Sequence, residues 1–177
     1  MDTQNLAGRY ELPALDWSAV TDRLDAGCDQ TPGAGGGPDR HTTWLTTIDP
    51  DGSPHVTAVG ALWVHGCFWF QTGQSTRKGR NLTHDPRCTV AIATHDFDLA
   101  VEGTAEIVTD RDTIAQLAAT WAEGGWPCEV DESGTSLTAP FSAPSAGAPP
   151  WSVYRVTARS ACAVATVEPG GATRWTF

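Results

Sequence analysis

The sequence predicts a mainly β domain, an antiparallel sheet closing toward a barrel, with a few short flanking helices. Three observations lead there. Between residues 42 and 109 apolar and polar residues alternate with a period close to two, the repeat of a half-buried strand. The runs are short and separated by turn chemistry such as DPDGSP and HG, which joins antiparallel neighbours and not the long crossovers of a parallel sheet. The length of 177 residues suits one domain with a single core.

The elements follow in order. DWSAVTDRLDAGC forms a short helix: Asp16 suits the N-cap, and Trp17, Val20 and Leu24 recur at helical spacing. DQTPGAGGGPD follows. A dinucleotide loop needs a strand before it and a helix after it; Gly33 and Gly35 have neither and run into Pro38, so a flexible loop is the reading. Residues 1–41 are therefore an N-terminal helix and Gly-rich loop ahead of a domain over 42–177. TTWLTTI, HVTAVGALWV and CFWFQT read as strands, the last two joined by the HG turn. CTVAIATH and LAVEGTAEIVT make a further pair. DRDTIAQLAATWAEGG is a helix: Asp110 caps it, Ile114, Leu117, Ala118 and Trp121 form one apolar stripe, and Gly124 and Gly125 end it. Residues 126–150, rich in Pro, Ser, Ala and Gly, form a long irregular connection. WSVYRVTARSACAVATV is a last long strand or bent strand pair, and GGATRWTF closes the chain.

Composition excludes several function classes. No apolar run approaches the roughly 20 residues that span a bilayer, and the N-terminus has no signal-peptide pattern; a cytoplasmic protein is expected. Five cysteines without C-x-x-C spacing point to free thiols, and dispersed histidines speak against zinc. A net charge of −10 argues against nucleic acid or an anionic membrane as partner.

Against that charge one segment stands out. Of 11 cationic side chains, Arg77, Lys78, Arg80 and Arg87 lie between residues 77 and 87, and Lys78 is the chain's only lysine. Crowded like charges cost free energy unless an anion meets them. In FWFQTGQSTRKGRNL, Ser75, Thr76 and Gly79 offer hydroxyls and backbone N–H groups, Arg77 a bidentate fork and Lys78 a point charge. A terminal phosphate is bound by such groups. On the cluster alone, a solvated surface turn is the competing reading.

The order of four segments adds to this. TTWLTTIDPDGSPHVTAV, FWFQTGQSTRKGRNLTHDPRCTVAI, LAVEGTAEIVTD with its V-E-G turn, and the ending TRWTF together resemble the FMN-binding split barrels of the pyridoxamine 5′-phosphate oxidase-like superfamily. The resemblance covers residues 42–177. It implies a six-stranded antiparallel split β-barrel (Greek key), a homodimer with the cofactor at the interface, and FMN or the deazaflavin coenzyme F-420 as cofactor. It implies a flavin- or deazaflavin-dependent oxidoreductase passing a hydride to a small organic molecule; a non-catalytic flavin-binding or flavin-storing protein, or a haem binder, is the alternative. Position by position it puts Ser75, Arg77 and Lys78, with Thr76, on the phosphate. Gln71 and Thr72 would lie beside the ribityl chain or ring edge, and the backbone of Val56, Thr57 and Ala58 along the ring. Arg174 and Trp175 would cross from the partner subunit. The Arg-x-His motif of strict pyridoxine phosphate oxidases is absent near the C-terminus, which speaks against vitamin B6 oxidase activity.

Two other residues draw notice. Glu102, an acid in an apolar run, is expected in a structural salt bridge with an arginine of the basic loop. His55 is the one histidine expected to face a cleft. No side chain is nominated as catalytic, since a flavin carries its own chemistry.

Overall fold

A computed structural model describes residues 1–28 and 41–177; the Gly33–Gly35 loop lies outside the described residues. Among the described residues there are eleven strands: β1 (Asp2–Asn5), β2 (Thr43–Ile48), β3 (Pro54–Val59), β4 (Leu62–Val64), β5 (Cys67–Thr72), β6 (Arg87–Ala93), β7 (Phe97–Val108), β8 (Glu129–Val130), β9 (Leu137–Thr138), β10 (Ser152–Ala165) and β11 (Ala172–Thr176). Three α-helices accompany them: α1 (Trp17–Asp25), α2 (Arg77–His84) and α3 (Arg111–Glu123).

Nine strands form one antiparallel sheet in the order β1-β11-β10-β7-β6-β2-β3, with β5 paired to β10 and β4 to β5. The six expected barrel strands, β2, β3, β5, β6, β7 and β10, are all there, with β1, β4 and β11 added. The predicted strand HVTAVGALWV is broken in two at Gly60 and Ala61. Its first part stays on β2 and its second goes to β5, so the sheet does not close and the barrel is split there. His65 and Gly66, both at positive φ (52° and 73°), make the tight β4–β5 turn.

Alternation decides which face is buried. Thr43, Leu45 and Thr47 of β2 are fully buried, while Trp44 between them is 48% exposed. The inner face, with Phe68, Phe70, Val90, Leu99, Val101, Tyr154 and Trp175, forms the main core. Helix α1, capped by Asp16 as expected, adds Val20 and Leu24 to that core, and β1 pairs with β11. The N-terminal residues therefore share the sheet and core of the rest. A second cluster lies under α3, where Ile114, Leu117, Ala118 and Trp121 meet Trp69, Leu137 and Trp151; the apolar stripe read from the sequence is the buried one. The 126–150 connection contains the β8–β9 hairpin and a single 3₁₀ turn at Pro144–Ala146. All five cysteines are free.

Candidate functional site

The basic segment is the N-terminus of a helix. Thr72 ends β5, the chain turns through Gly73, Gln74 and Ser75, and α2 begins at Arg77. Thr76 is the N-cap: its Oγ1 accepts from the Gly79 N–H at 3.1 Å, and its carbonyl accepts from Arg80 N–H at 2.9 Å. The first-turn N–H groups of Arg77 and Lys78 have no partner inside the helix, so they face out from its positive end. The turn is tight: a Cβ on Gly79 would lie 2.5 Å from the Gly73 carbonyl oxygen, which is why glycine stands inside this helix.

The cations themselves are engaged within the chain. Arg77 gives its fork to Asp49, Nε to Oδ1 at 2.9 Å and Nη2 to Oδ2. Asn81 Nδ2 donates to the same carboxylate at 2.9 Å and to Thr47 Oγ1 at 3.0 Å. This network ties α2 to the end of β2. Hydrogen bonds from Arg77 and then Asn81 hold the Asp49 carboxyl well below the usual carboxylate range. Lys78 is 3% exposed and its ammonium donates to the Ser145 carbonyl. Burial lowers its pKa. Arg80 donates to the Ser75 carbonyl, and Arg87 pairs with Asp85 at 2.6 Å, which draws that carboxyl down to about 2.

The other predicted site residues fall in three places. Thr72 is buried and shares a 3.0 Å hydrogen bond with Thr76. Gln71 donates to Ser142 Oγ at 3.4 Å, while its side-chain oxygen is buried with no hydrogen-bond partner among the described residues. Val56, Thr57 and Ala58 lie on β3, the edge of the sheet. Val56 and Ala58 are exposed on its outer face, opposite Thr46 and Trp44, and Thr57 turns inward. Arg174 is exposed on the same outer face, but β11 stands five strand steps from β3, about 24 Å at the usual spacing. Trp175 points the other way: it is 1% exposed and packs on Trp17 at 5.1 Å. One chain thus brings Gln71, Thr72, Ser75, Thr76, Arg77 and Lys78 together and leaves Arg174 and Trp175 apart.

One expectation changes. Glu102 is not among the described ion pairs; its Oε2 accepts from the Ser160 hydroxyl at 2.7 Å. The ion pair of the basic loop is made instead by Asp49, which the sequence showed only as part of a DPDGSP turn. His55 sits beside this network, and burial followed by the charge of Arg77 lowers its pKa. Sequence reasoning also missed Ser145, whose backbone takes Lys78; no side-chain signal marks a carbonyl.

These elements define a class: a split barrel with a cation-bearing helix start and an open sheet edge. The family model for pyridoxamine 5′-phosphate oxidase matches residues 38–138, and the chain belongs to that family. No curated protein matches the sequence. Among solved structures, a conserved hypothetical protein from Mycobacterium tuberculosis is 22% identical with a TM-score of 0.57, covering 84% of this chain and 83% of that one. A pyridoxamine 5′-phosphate oxidase-related, FMN-binding protein from Nostoc punctiforme is 11% identical with a TM-score of 0.57, covering 91% of each chain. A haem-binding protein from Mycobacterium smegmatis is 17% identical with a TM-score of 0.57, covering 90% of this chain and 59% of that one. At these identities the likeness is one of fold.

Proposed function

We propose that this chain is a flavin-dependent oxidoreductase that binds FMN, or the deazaflavin coenzyme F-420, at the start of α2 and passes a hydride to a small organic molecule in the cytoplasm. The observation that carries the reading is the donor set at that helix start. The N–H groups of Arg77 and Lys78 lie free of helix partners, the Ser75 hydroxyl is exposed, and Lys78 has spent one of its three donors. A phosphate fits there, and a buried cation with a single neutral acceptor is stabilised by one. The orphan Gln71 oxygen supplies an acceptor for a hydroxyl or ring N–H of the same molecule. The outer backbone groups of edge strand β3 offer hydrogen bonds to a flat ring.

In this reading Ser75, Thr76 and Lys78 hold the phosphate, and Arg77 positions the loop through Asp49 and adds its remaining N–H groups. The bound cofactor supplies hydride chemistry. The chain's own residues bind it, orient it and keep water from it. A homodimer is part of the proposal, because only a second copy brings Arg174 to the β3 edge.

The test is an absorbance and fluorescence spectrum of the purified protein, repeated during titration with FMN and then F-420. Saturation with either supports the reading and names the cofactor. Binding of neither removes it, and haem is the ligand to try next, a choice supported by the haem-binding neighbour. A bound flavin that no reductant and acceptor turn over marks a binding or storage protein. Lys78→Ala and Arg77→Ala are expected to weaken cofactor affinity by about 1.5–3 kcal/mol each with the fold intact. Unchanged affinity in both rejects the phosphate site.

A further inference from the structure

The segment between β9 and β10 has a fixed base and a loose body. Leu137 and Trp151 exchange both backbone hydrogen bonds at 2.9 Å, and both residues are buried, so the two ends of residues 138–150 are pinned side by side. That is the form of an Ω-loop. Its sequence, TAPFSAPSAGAPP, offers little to a core: Ala146 is its one buried residue, and Phe141 is 59% exposed. Few buried apolar contacts and exposed hydrogen bonds mark a unit that opens readily.

What holds the loop down comes from β5, the start of α2 and one tryptophan. The Gly73 N–H donates to the Ala146 carbonyl at 2.9 Å, and the Lys78 ammonium donates to the Ser145 carbonyl. The Gln71 amide reaches Ser142 Oγ at 3.4 Å, and the Trp126 indole N–H gives the Phe141 carbonyl a 2.6 Å bond. The contact is close: a Cβ on Gly147, at φ 75°, would lie 3.0 Å from Thr76 Cγ2. Beneath these contacts Lys78 is 3% exposed, with a neutral carbonyl as its acceptor. An anion would give that ammonium a charge-assisted hydrogen bond, about twice as strong as a neutral one. At so low an exposure the ammonium opens to an anion when the Ser145 carbonyl moves aside.

We infer that residues 138–150 are a self-inhibitory cover on the start of α2: the Ser145 carbonyl holds the Lys78 ammonium until a phosphate takes its place, and the loop then swings off the 73–78 turn on its Leu137–Trp151 base. This cover rests on the reading of that turn as the cofactor's phosphate site, and it governs how the site opens. Covered and open states differ in the partner of Lys78, which is the differential interaction a ligand needs to shift them. Release also frees the Gln71 amide from Ser142, so both polar ends of that side chain become available to the bound molecule.

The experiment follows binding of FMN, and of F-420, to the full chain by cofactor fluorescence. In the same samples NMR reads hydrogen exchange at the amides of residues 145–147 and at the Trp126 indole. The expected result is saturable binding with exchange at those positions about fivefold faster or more in the complex, the reverse of the protection an ordinary ligand gives. Binding with exchange unchanged or slower overturns the cover and leaves the phosphate site standing. Binding of neither cofactor rejects the phosphate-site reading instead, and inorganic pyrophosphate then takes their place. Exchange that pyrophosphate speeds in the parent, but not in Lys78→Met where the loop is loose already, keeps the cover; equal exchange overturns it. Trp126→Phe keeps an aromatic ring and drops the bond to Phe141. Its affinity for the ligand that binds is expected to rise about threefold, since less of the protein is held closed; equal or weaker affinity overturns the inference as well.

Discussion

The two basic regions of this molecule differ in how their cations are spent. At the start of α2, Arg77 is locked to Asp49 and Lys78 is buried on the Ser145 carbonyl. On the outer sheet face, Arg159 and Arg174 stand exposed and join no ion pair among the described residues. The first set is adjacent in sequence and largely consumed by the fold; the second is scattered and free. The difference teaches that a dense run of charge marks a place the chain must organise, whereas topology gathers the charges it leaves available.

The largest expected effect is on the scaffold of the free set. Gly103→Ala puts a methyl 2.1 Å from backbone on the neighbouring strand, with no flexible side chain to yield. Loss of more than about 4 kcal/mol in urea unfolding is expected, or no folded protein. Gly79→Ala tests the other region in the same way, since its nearest atoms are the Gly73 and Gln74 backbone at 2.5 and 2.8 Å. If Gly103→Ala leaves stability unchanged, the register shift of β10 against β7 between Ala158 and Ser160 does not hold the Thr157 carbonyl against Gly103.

A smaller loss is expected from Asp49→Ala, which leaves Arg77 without its acceptor and Asn81 with Thr47 alone. The sign with pH follows from the lowered carboxyl. A group whose folded pKa lies below its unfolded value, about 3.9 for aspartate, stabilises fully above that value and loses its contribution as pH falls toward the folded one. The variant is therefore expected to melt lower than the parent at pH 7, with the gap narrowing below pH 4. A gap that stays constant down to pH 2 would show that the carboxylate charge is not what ties α2 to β2.

Much of this was legible in the sequence. Period-two runs and turn residues placed the six barrel strands, and the Asp110 cap and apolar stripe of α3 were readable because each is a local pattern. The cluster at residues 75–78 was visible as charge density. What spacing does not encode is which strand a break feeds, so HVTAVGALWV looked continuous although Gly60 and Ala61 divide it between two pairings. Nor does it encode partners far along the chain. Asp49 lies 28 residues from Arg77, Ser145 lies 67 from Lys78, and Arg159 falls at a shift in register of β10 against β7 between Ala158 and Ser160. Trp175 beside Arg174 shows the same limit: adjacent residues on a strand part to opposite faces, one into the core and one onto the outer face.

The smallest effect sharpens the comparison most. Lys78 is a nearly buried ammonium with one neutral acceptor, and its lowered pKa records the cost of desolvation. Such a group carries its charge at some expense to the fold, and its penalty fades as pH rises past the folded pKa. Lys78→Met keeps the length and packing of the stem, removes the charge and gives up the hydrogen bond to Ser145. Those two changes oppose each other, and desolvation is the larger when no anion is bound. The ligand-free variant is expected to gain about 1 kcal/mol, or roughly 2–4 °C in Tm for a chain of this size, while its response to FMN shrinks. Arg174→Met on the open face, where the guanidinium is solvated already, is expected to stay within about 0.5 kcal/mol. Equal shifts in the two variants would mean that burial does not separate the regions; a gain at Lys78 alone means that the loop keeps its cation at a cost in stability, which a bound phosphate then returns.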